Sequence, residues 1–550
     1  MTTQHMTPLA ALCAAVCLSL SGAAFAAAAA DQCTSCHQDL SKTHAEGAHK
    51  AVPCTACHSG TEAHLKNVAT RPATSMDPNT CGTCHSAQYK SLFKASERLP
   101  RMSKKAAEGP APDPFFDRAM GKHGFTKEHA EPRAHVFMTI DQFIADRAFG
   151  GRFQPKDGWL YAGLPDGKSY KAWDVLKDAE PSTSDQKKFI PGSATAANAV
   201  CWSCKSTDLI LDWAYLGDDV KGATFSRKSK PVELVRHVQH AINCNFCHDP
   251  HNAKPRVTRD ALIDAMTRKD DMNVYRDLAA NPAKLEVKDL GLRGFTRKIA
   301  YMDRPDARLM CAQCHVEYVC NPGFDAKTGK KIGFDSYLTN YFPWVNADKI
   351  EERYQQIGFR DFKHPLTGAS LVKMQHPDTE TYIGSVHDKA GADCATCHMP
   401  KVKDESGKTY TLHWATSPKH YVKEACLTCH KDKTEEQMVK SIDVMKAHFV
   451  GKVREAEARM DQMFDAFEAA IAAGVDEETL NKARRLHETA HINWEYWTAT
   501  NGGYFHNHEL AVRSLAKSAQ AASDATDLLW KAVREKNGAK APAAKTAAAK

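Results

Sequence analysis

The sequence predicts a mainly α-helical fold with little regular sheet, an interior packed with prosthetic groups, and long helices at the C-terminal end. Three observations predict it. Sixteen of the 19 cysteines fall into eight Cys-x-x-Cys pairs, each followed at once by a histidine or a lysine. The stretches around those pairs lack sustained apolar periodicity. After Cys429 the pattern changes to apolar residues at spacings of three and four, one face of a long helix.

The pairs come first. Seven read Cys-x-x-Cys-His: Cys33, Cys36 and His37; Cys54, Cys57 and His58; Cys81, Cys84 and His85; Cys244, Cys247 and His248; Cys311, Cys314 and His315; Cys394, Cys397 and His398; Cys426, Cys429 and His430. The fourth in chain order, CWSCK, has Cys201 and Cys204 at the same spacing with Lys205 in the ligand place. Two thiols three residues apart can each add to a haem vinyl group, which sets the next residue under the iron as an axial ligand. Zinc sites or disulfides fit poorly, because zinc takes four ligands and would couple the pairs regularly. The chain therefore reads as a multihaem cytochrome c fold with eight covalently bound haem c groups and a haem-packed core.

Lysine must lose its proton before it can coordinate iron, so Lys205 points to a selected ligand at one special iron. Twenty histidines lie outside the motifs, an ample supply of second ligands for the seven others.

Residues 1–30 combine an apolar run with small-residue A-x-A sites around Ala24–Ala30, as in a cleaved secretory signal, which places the mature protein in the periplasm. Only Cys320 is then left over among the cysteines. The formal charge of +7 falls to about −1 once eight ferric haems with two propionates each are counted, so nucleic acid is not an expected partner.

Residues 31–110 hold three motifs and read as an N-terminal trihaem domain, ending in a Pro- and Lys-rich linker. Residues 111–435 carry the other five motifs among short helices and loops, the expected pentahaem catalytic domain. In 436–535, Met438, Ile442, Met445, Phe449, Val453, Ala456, Met460, Phe464 and Phe467 form one helical stripe. That helix should end at Gly474; Asp476 should cap a second, running to the Asn501-Gly502-Gly503 break, and a third should run from about His508 to Glu535. The stripe points to helix–helix or subunit contact, and long C-terminal helices favour a homo-oligomer. Residues 536–550 read as a disordered tail.

CWSCK followed by CAQCHVEY, KMQHP, CATCHMPK and a helical C-terminus resembles the pentahaem cytochrome c nitrite reductases over residues 125–535. With three more motifs in front and Tyr318-Val319-Cys320 in the central segment, the chain resembles the octahaem cytochrome c nitrite reductases. The resemblance implies six-electron reduction of nitrite to ammonium at the lysine-ligated haem, with hydroxylamine and sulfite as further substrates. It places Arg147, Tyr318 and His376 around the bound anion, with Arg133 as the other candidate arginine, and a thioether between Tyr318 and Cys320. It also implies Ca²⁺ held by Glu317, the Tyr318 and Lys373 carbonyls and the Gln375 side chain, oxygen donors suited to that ion.

The same resemblance assigns second ligands. His135 would serve the haem of His315, His387 that of His430, His413 that of His248, and His506 that of His398. For the first three haems it gives no guide; His44, His49, His64, His123, His129 and His240 are the candidates. A fixed guanidinium to hold the anion, with a histidine that exchanges its proton near neutral pH, suits a reaction that consumes many protons. The electron donor would be a periplasmic or membrane-associated protein. Rival readings are an octahaem hydroxylamine oxidoreductase or tetrathionate reductase-like enzyme, expected to keep histidine in every motif, and an electron wire without chemistry of its own.

Overall fold

The longest elements lie where stripe and caps put them. A computed structural model describes residues 32–94, 114–121, 134–139 and 198–540, apart from 231–232, 235–236, 271, 291–294, 296 and 320–321. Helix α1 spans Glu435–Ala473, about 58 Å at the α-helical rise. Thr434 opens it with a capping box, its side chain accepting from the Gln437 N–H, and Gly474 closes it in the left-handed conformation at φ 71°. Helix α2, Glu477–Ala499, starts on Asp476, whose side chain accepts from the Thr479 N–H. Helix α3 spans His508–Lys540. It runs past the expected end at Glu535 into the predicted tail, because Arg534–Lys536 are good helix formers and an established helix propagates cheaply.

The three helices pack around one apolar core. From the stripe, Ile442, Phe449, Ala456, Met460, Phe464 and Phe467 are buried, while Met438, Met445 and Val453 are half-buried. Trp494 and Trp497 of α2 fill the space between α1 and α3, with Leu515, Ala522 and Leu529 of α3 in the same cluster. The Met and aromatic stripe is thus an interhelical contact. No helix among the described residues is long and apolar enough to cross a membrane.

Residues 198–434 form short helices and very little sheet. The largest sheet has three antiparallel strands, β1 (Arg256–Val257), β2 (Leu285–Asp289) and β3 (Lys298–Met302), in the order β1-β3-β2, with Arg256 opposite Tyr301 and Glu286 opposite the same residue on the other side. Residues 32–94 are an arm of short turns and helices in which only Gly47, Pro78, Ser91 and Phe93 are buried. Its contacts with the body include the Met76 carbonyl, which accepts from Asn243, and Ser91, whose hydroxyl accepts from the His413 N–H.

Candidate haem centres and the lysine-bearing motif

Most motifs begin on a short helical turn. Asn198 caps Ala199–Trp202, Asn243 caps Cys244–Cys247, and Asp393 closes a capping box on Cys394–His398. A ligand histidine generally donates its second ring nitrogen to an acceptor, which fixes the ring and leaves the other nitrogen for the metal. The acceptors are present. The Nδ1 atoms of His49, His64, His398 and His413 lie 2.8–2.9 Å from the carbonyls of Pro250, Thr70, Thr416 and Thr411, and His315 Nδ1 lies 3.0 Å from Asp378.

With Nε2 free, the imidazoles face one another in pairs. A metal–imidazole bond of about 2 Å plus about 1.1 Å from nitrogen to ring centre puts two rings on one iron roughly 6.3 Å apart. Ring centres stand 6.1 Å apart for His37 and His64, 6.2 Å for His49 and His85, 6.4 Å for His58 and His251, 6.1 Å for His135 and His315, 6.3 Å for His387 and His430, and 6.3 Å for His398 and His506. His413 is an electrostatic neighbour of His248. The residues present therefore fit haem c, with a second imidazole beside the histidine of each of the seven histidine motifs. His251 was absent from the sequence-based candidates; its signal is a second histidine three residues after His248 in CNFCHDPH. His44 and His240 have no such ring opposite them among the described residues, and His240 is instead held by Asp208 at 3.1 Å. His123 and His129 lie outside the described residues.

The motifs also touch in a definite order. Side-chain contacts join Cys33 to Cys54, Cys81 to Cys244 and Cys311 to Cys394, while Cys57 neighbours Cys81, Cys247 neighbours Cys311 and Cys397 neighbours Cys426. Cys204 Sγ lies 3.6 Å from the Gln313 carbonyl and Cys314 Sγ 3.6 Å from the Cys204 carbonyl. The seven histidine motifs form one line, and the lysine motif branches from the sixth of the eight.

That branch is the most enclosed place among the motifs. Cys201 and Cys204 are the only buried cysteines of the sixteen; the rest are half-buried or exposed. Lys205 is 4% exposed. Its carbonyl accepts from the Thr139 hydroxyl and its N–H donates to the Trp202 carbonyl at 2.8 Å. Cys201 and Trp202 share one buried apolar cluster with Tyr318 and Phe342.

Beside it, two segments are zipped together. Thr379 donates to the His315 carbonyl through both N–H and hydroxyl, at 3.1 and 2.7 Å. Glu317 accepts from the Gln375 N–H at 2.8 Å and from the Tyr354 hydroxyl at 2.6 Å, and its own N–H donates to Glu380 at 2.9 Å. This brings Glu317 and Tyr318 next to Lys373, Gln375 and His376. Burial pushes the Glu317 carboxyl up to about 8, with the nearby Lys373 ammonium among the groups that oppose the shift, and burial raises Glu380 well above its usual range. Two buried carboxyl groups so close together favour a bound cation. Arg147, Arg133 and Cys320 lie outside the described residues.

Comparison with known proteins agrees with this arrangement. Residues 152–550 match the family model described as cytochrome c552. A cytochrome c-552 of Haemophilus influenzae is 30% identical over 444 residues, covering 77% of this chain and 68% of its own length. The cytochrome c nitrite reductase subunit NrfA of Nitratidesulfovibrio vulgaris is 28% identical over 359 residues, 61% of each chain. The solved cytochrome c nitrite reductase of Desulfovibrio desulfuricans superposes with a TM-score of 0.57 at 22% identity, over 85% of this chain and 89% of that one, a likeness of fold. With its helical architecture, its thiol pairs and a match over most of its length, the chain belongs to the cytochrome c552 family.

Proposed function

We propose that this protein is a periplasmic octahaem reductase that converts nitrite to ammonium at the site of Cys201, Cys204 and Lys205, with hydroxylamine and sulfite as further substrates. The observation that carries this reading is the placement of Lys205: it stands in the one motif walled in on all sides, at the branch of the line, against the segment that holds Tyr318 and His376. The nitrite reductase among the relatives supports the same substrate.

A haem held by Cys201, Cys204 and Lys205 would supply the electrons and the iron at which nitrite is reduced. The protein residues do the rest. Lys205, buried and with both backbone groups hydrogen-bonded, would hold the haem iron through its side-chain nitrogen. Arg147 would hold the anion through charge-assisted hydrogen bonds. His376, half-buried beside the tightly held Gln375, can pass protons near neutral pH. Tyr318 donates from a desolvated wall, and a thioether to Cys320 would lower its phenol pKa. Ca²⁺ held by Glu317, the Tyr318 and Lys373 carbonyls and Gln375 would neutralise the buried carboxylates and fix the segment carrying Tyr318. The Desulfovibrio desulfuricans structure is described with two calcium sites in its catalytic subunit. The donor is a periplasmic or membrane-associated redox protein, and the helical C-terminus supports a homo-oligomer.

The hydroxylamine oxidoreductase, tetrathionate reductase and pure-wire readings gain nothing from a lysine ligand. Steady-state nitrite reduction with a reduced viologen tests the proposal. Stoichiometric ammonium is expected from the wild type, with a loss on the order of 100-fold in Lys205→His. Hydroxylamine or nitric oxide as the main free product would overturn it.

A further inference from the structure

We propose that His251 is the second axial ligand of the iron at the Cys54, Cys57 and His58 motif, so that the haem there staples the N-terminal arm to the body of the chain. This goes beyond the reading of the substrate and does not depend on it.

The geometry of the pair is that of two ligands on one metal. The His58 and His251 rings are 6.4 Å apart and inclined by only 21°. His58 Nδ1 is occupied by the Thr74 hydroxyl at 3.0 Å, and His251 Nδ1 faces Asp249 at 3.5 Å. Asp249 is itself fixed by Arg256 at 3.1 Å and by the Tyr301 hydroxyl at 2.8 Å. Each imidazole thus has its second-nitrogen partner in place and keeps Nε2 for the space between the rings.

The loop that carries His251 serves two neighbouring motifs as well. His248 belongs to the motif of Cys244 and Cys247. The Pro250 carbonyl orients His49 at 2.9 Å, and His49 stands 6.2 Å from His85. The arm closes directly on this loop: the Ala48 N–H donates to the Asn252 carbonyl at 3.2 Å, and a Cβ on Gly47 would lie 2.2 Å from Asn252 Cα. Only a glycine permits that approach. Residues 248–252 therefore gather three haem sites from two parts of the chain. With only four buried residues, the arm has little apolar burial to offset the entropy of docking, and metal–ligand bonds supply the difference.

The test uses the full-length, haem-loaded protein. In His251→Ala, one iron per chain is expected to pass from six-coordinate low-spin to high-spin by EPR and near-infrared magnetic circular dichroism. Covalent haem content should stay constant, because Cys54 and Cys57 are untouched, and added imidazole should restore the low-spin state. Amide hydrogen exchange in residues 32–94 should become several-fold faster. His251→Met, which keeps a ligand, should stay low-spin, show a far-red sulfur-to-iron band and carry a higher potential at that haem. Retention of every low-spin iron in His251→Ala without imidazole, absence of the sulfur band in His251→Met, or the same spin change produced by His44→Ala instead, would each overturn the proposal.

Discussion

Residues 32–94 bury only four residues, one of them a glycine, and hold three motifs, whereas α1–α3 hold no motif and bury a core made mostly of Leu, Met, Phe, Trp and Ala. On the proposed ligation the arm's order would come from irons held between pairs of imidazoles; the helices' order comes from removing apolar surface from water. One chain thus uses two sources of stability, and each should fail under a different challenge. Replacing the arm cysteines Cys33, Cys54 and Cys81 by alanine should raise arm amide exchange to the unfolded rate, while α1–α3 keep their protection and far-ultraviolet signal. Equal loss in both regions would end the distinction.

Trp494→Ala is the converse experiment. It removes a fully buried side chain from the helical core and should cost about 3–5 kcal/mol in chemical denaturation of that region, leaving the arm's low-spin signals unchanged. Acid sharpens the contrast further. Burial holds His364 neutral down to about 4 and lowers His487 well below the ordinary imidazole range. The unfolded chain binds protons near pH ~6.5 that the folded helices refuse, so stability is full above that value and falls as pH drops toward about 4. His487→Leu should flatten this decline, which a pH series of thermal midpoints would show. The smallest effects belong to the helix ends. Thr434→Ala, which removes the capping box, and Gly474→Ala, at φ 71°, should each cost about 1 kcal/mol by denaturant titration.

The same division explains what the sequence could reveal. Covalent chemistry is local, so sixteen cysteines and their following residues are plain in the string, and CWSCK singles itself out among them. Helices α1 and α2 are equally local: stripe, Thr434, Gly474 and Asp476 mark them, and only the end of α3 ran beyond its expected place. Ligand pairing is a through-space property. His135, His387 and His506 are named from a family resemblance, and their rings stand opposite those of His315, His430 and His398. His251 could not, because its partner His58 lies far back in the chain and the candidates were sought mostly within the arm. The zipping of Glu317 to Gln375, which brings the Tyr318 and His376 segments together, likewise has no periodic signature; it joins one carboxylate to a backbone N–H 58 residues away.

Asp378 joins the two halves of this picture. Its carboxylate faces His315 Nδ1 at 3.0 Å and accepts from the backbone and side chain of Asn501 at 2.8 and 3.0 Å, at the break between α2 and α3. Burial alone would raise its pKa, but the His315 imidazole, with His506 and Asn501, holds it down to about 2. A carboxylate held at that ring nitrogen would make the imidazole a stronger electron donor and favour the ferric state of an iron that His315 holds. A haem at the motif next to Lys205 would then be a poor resting place for an electron and would favour its passage to the branch. Asn501, at the bend between two of the helices, would help His315 to hold that charge in place.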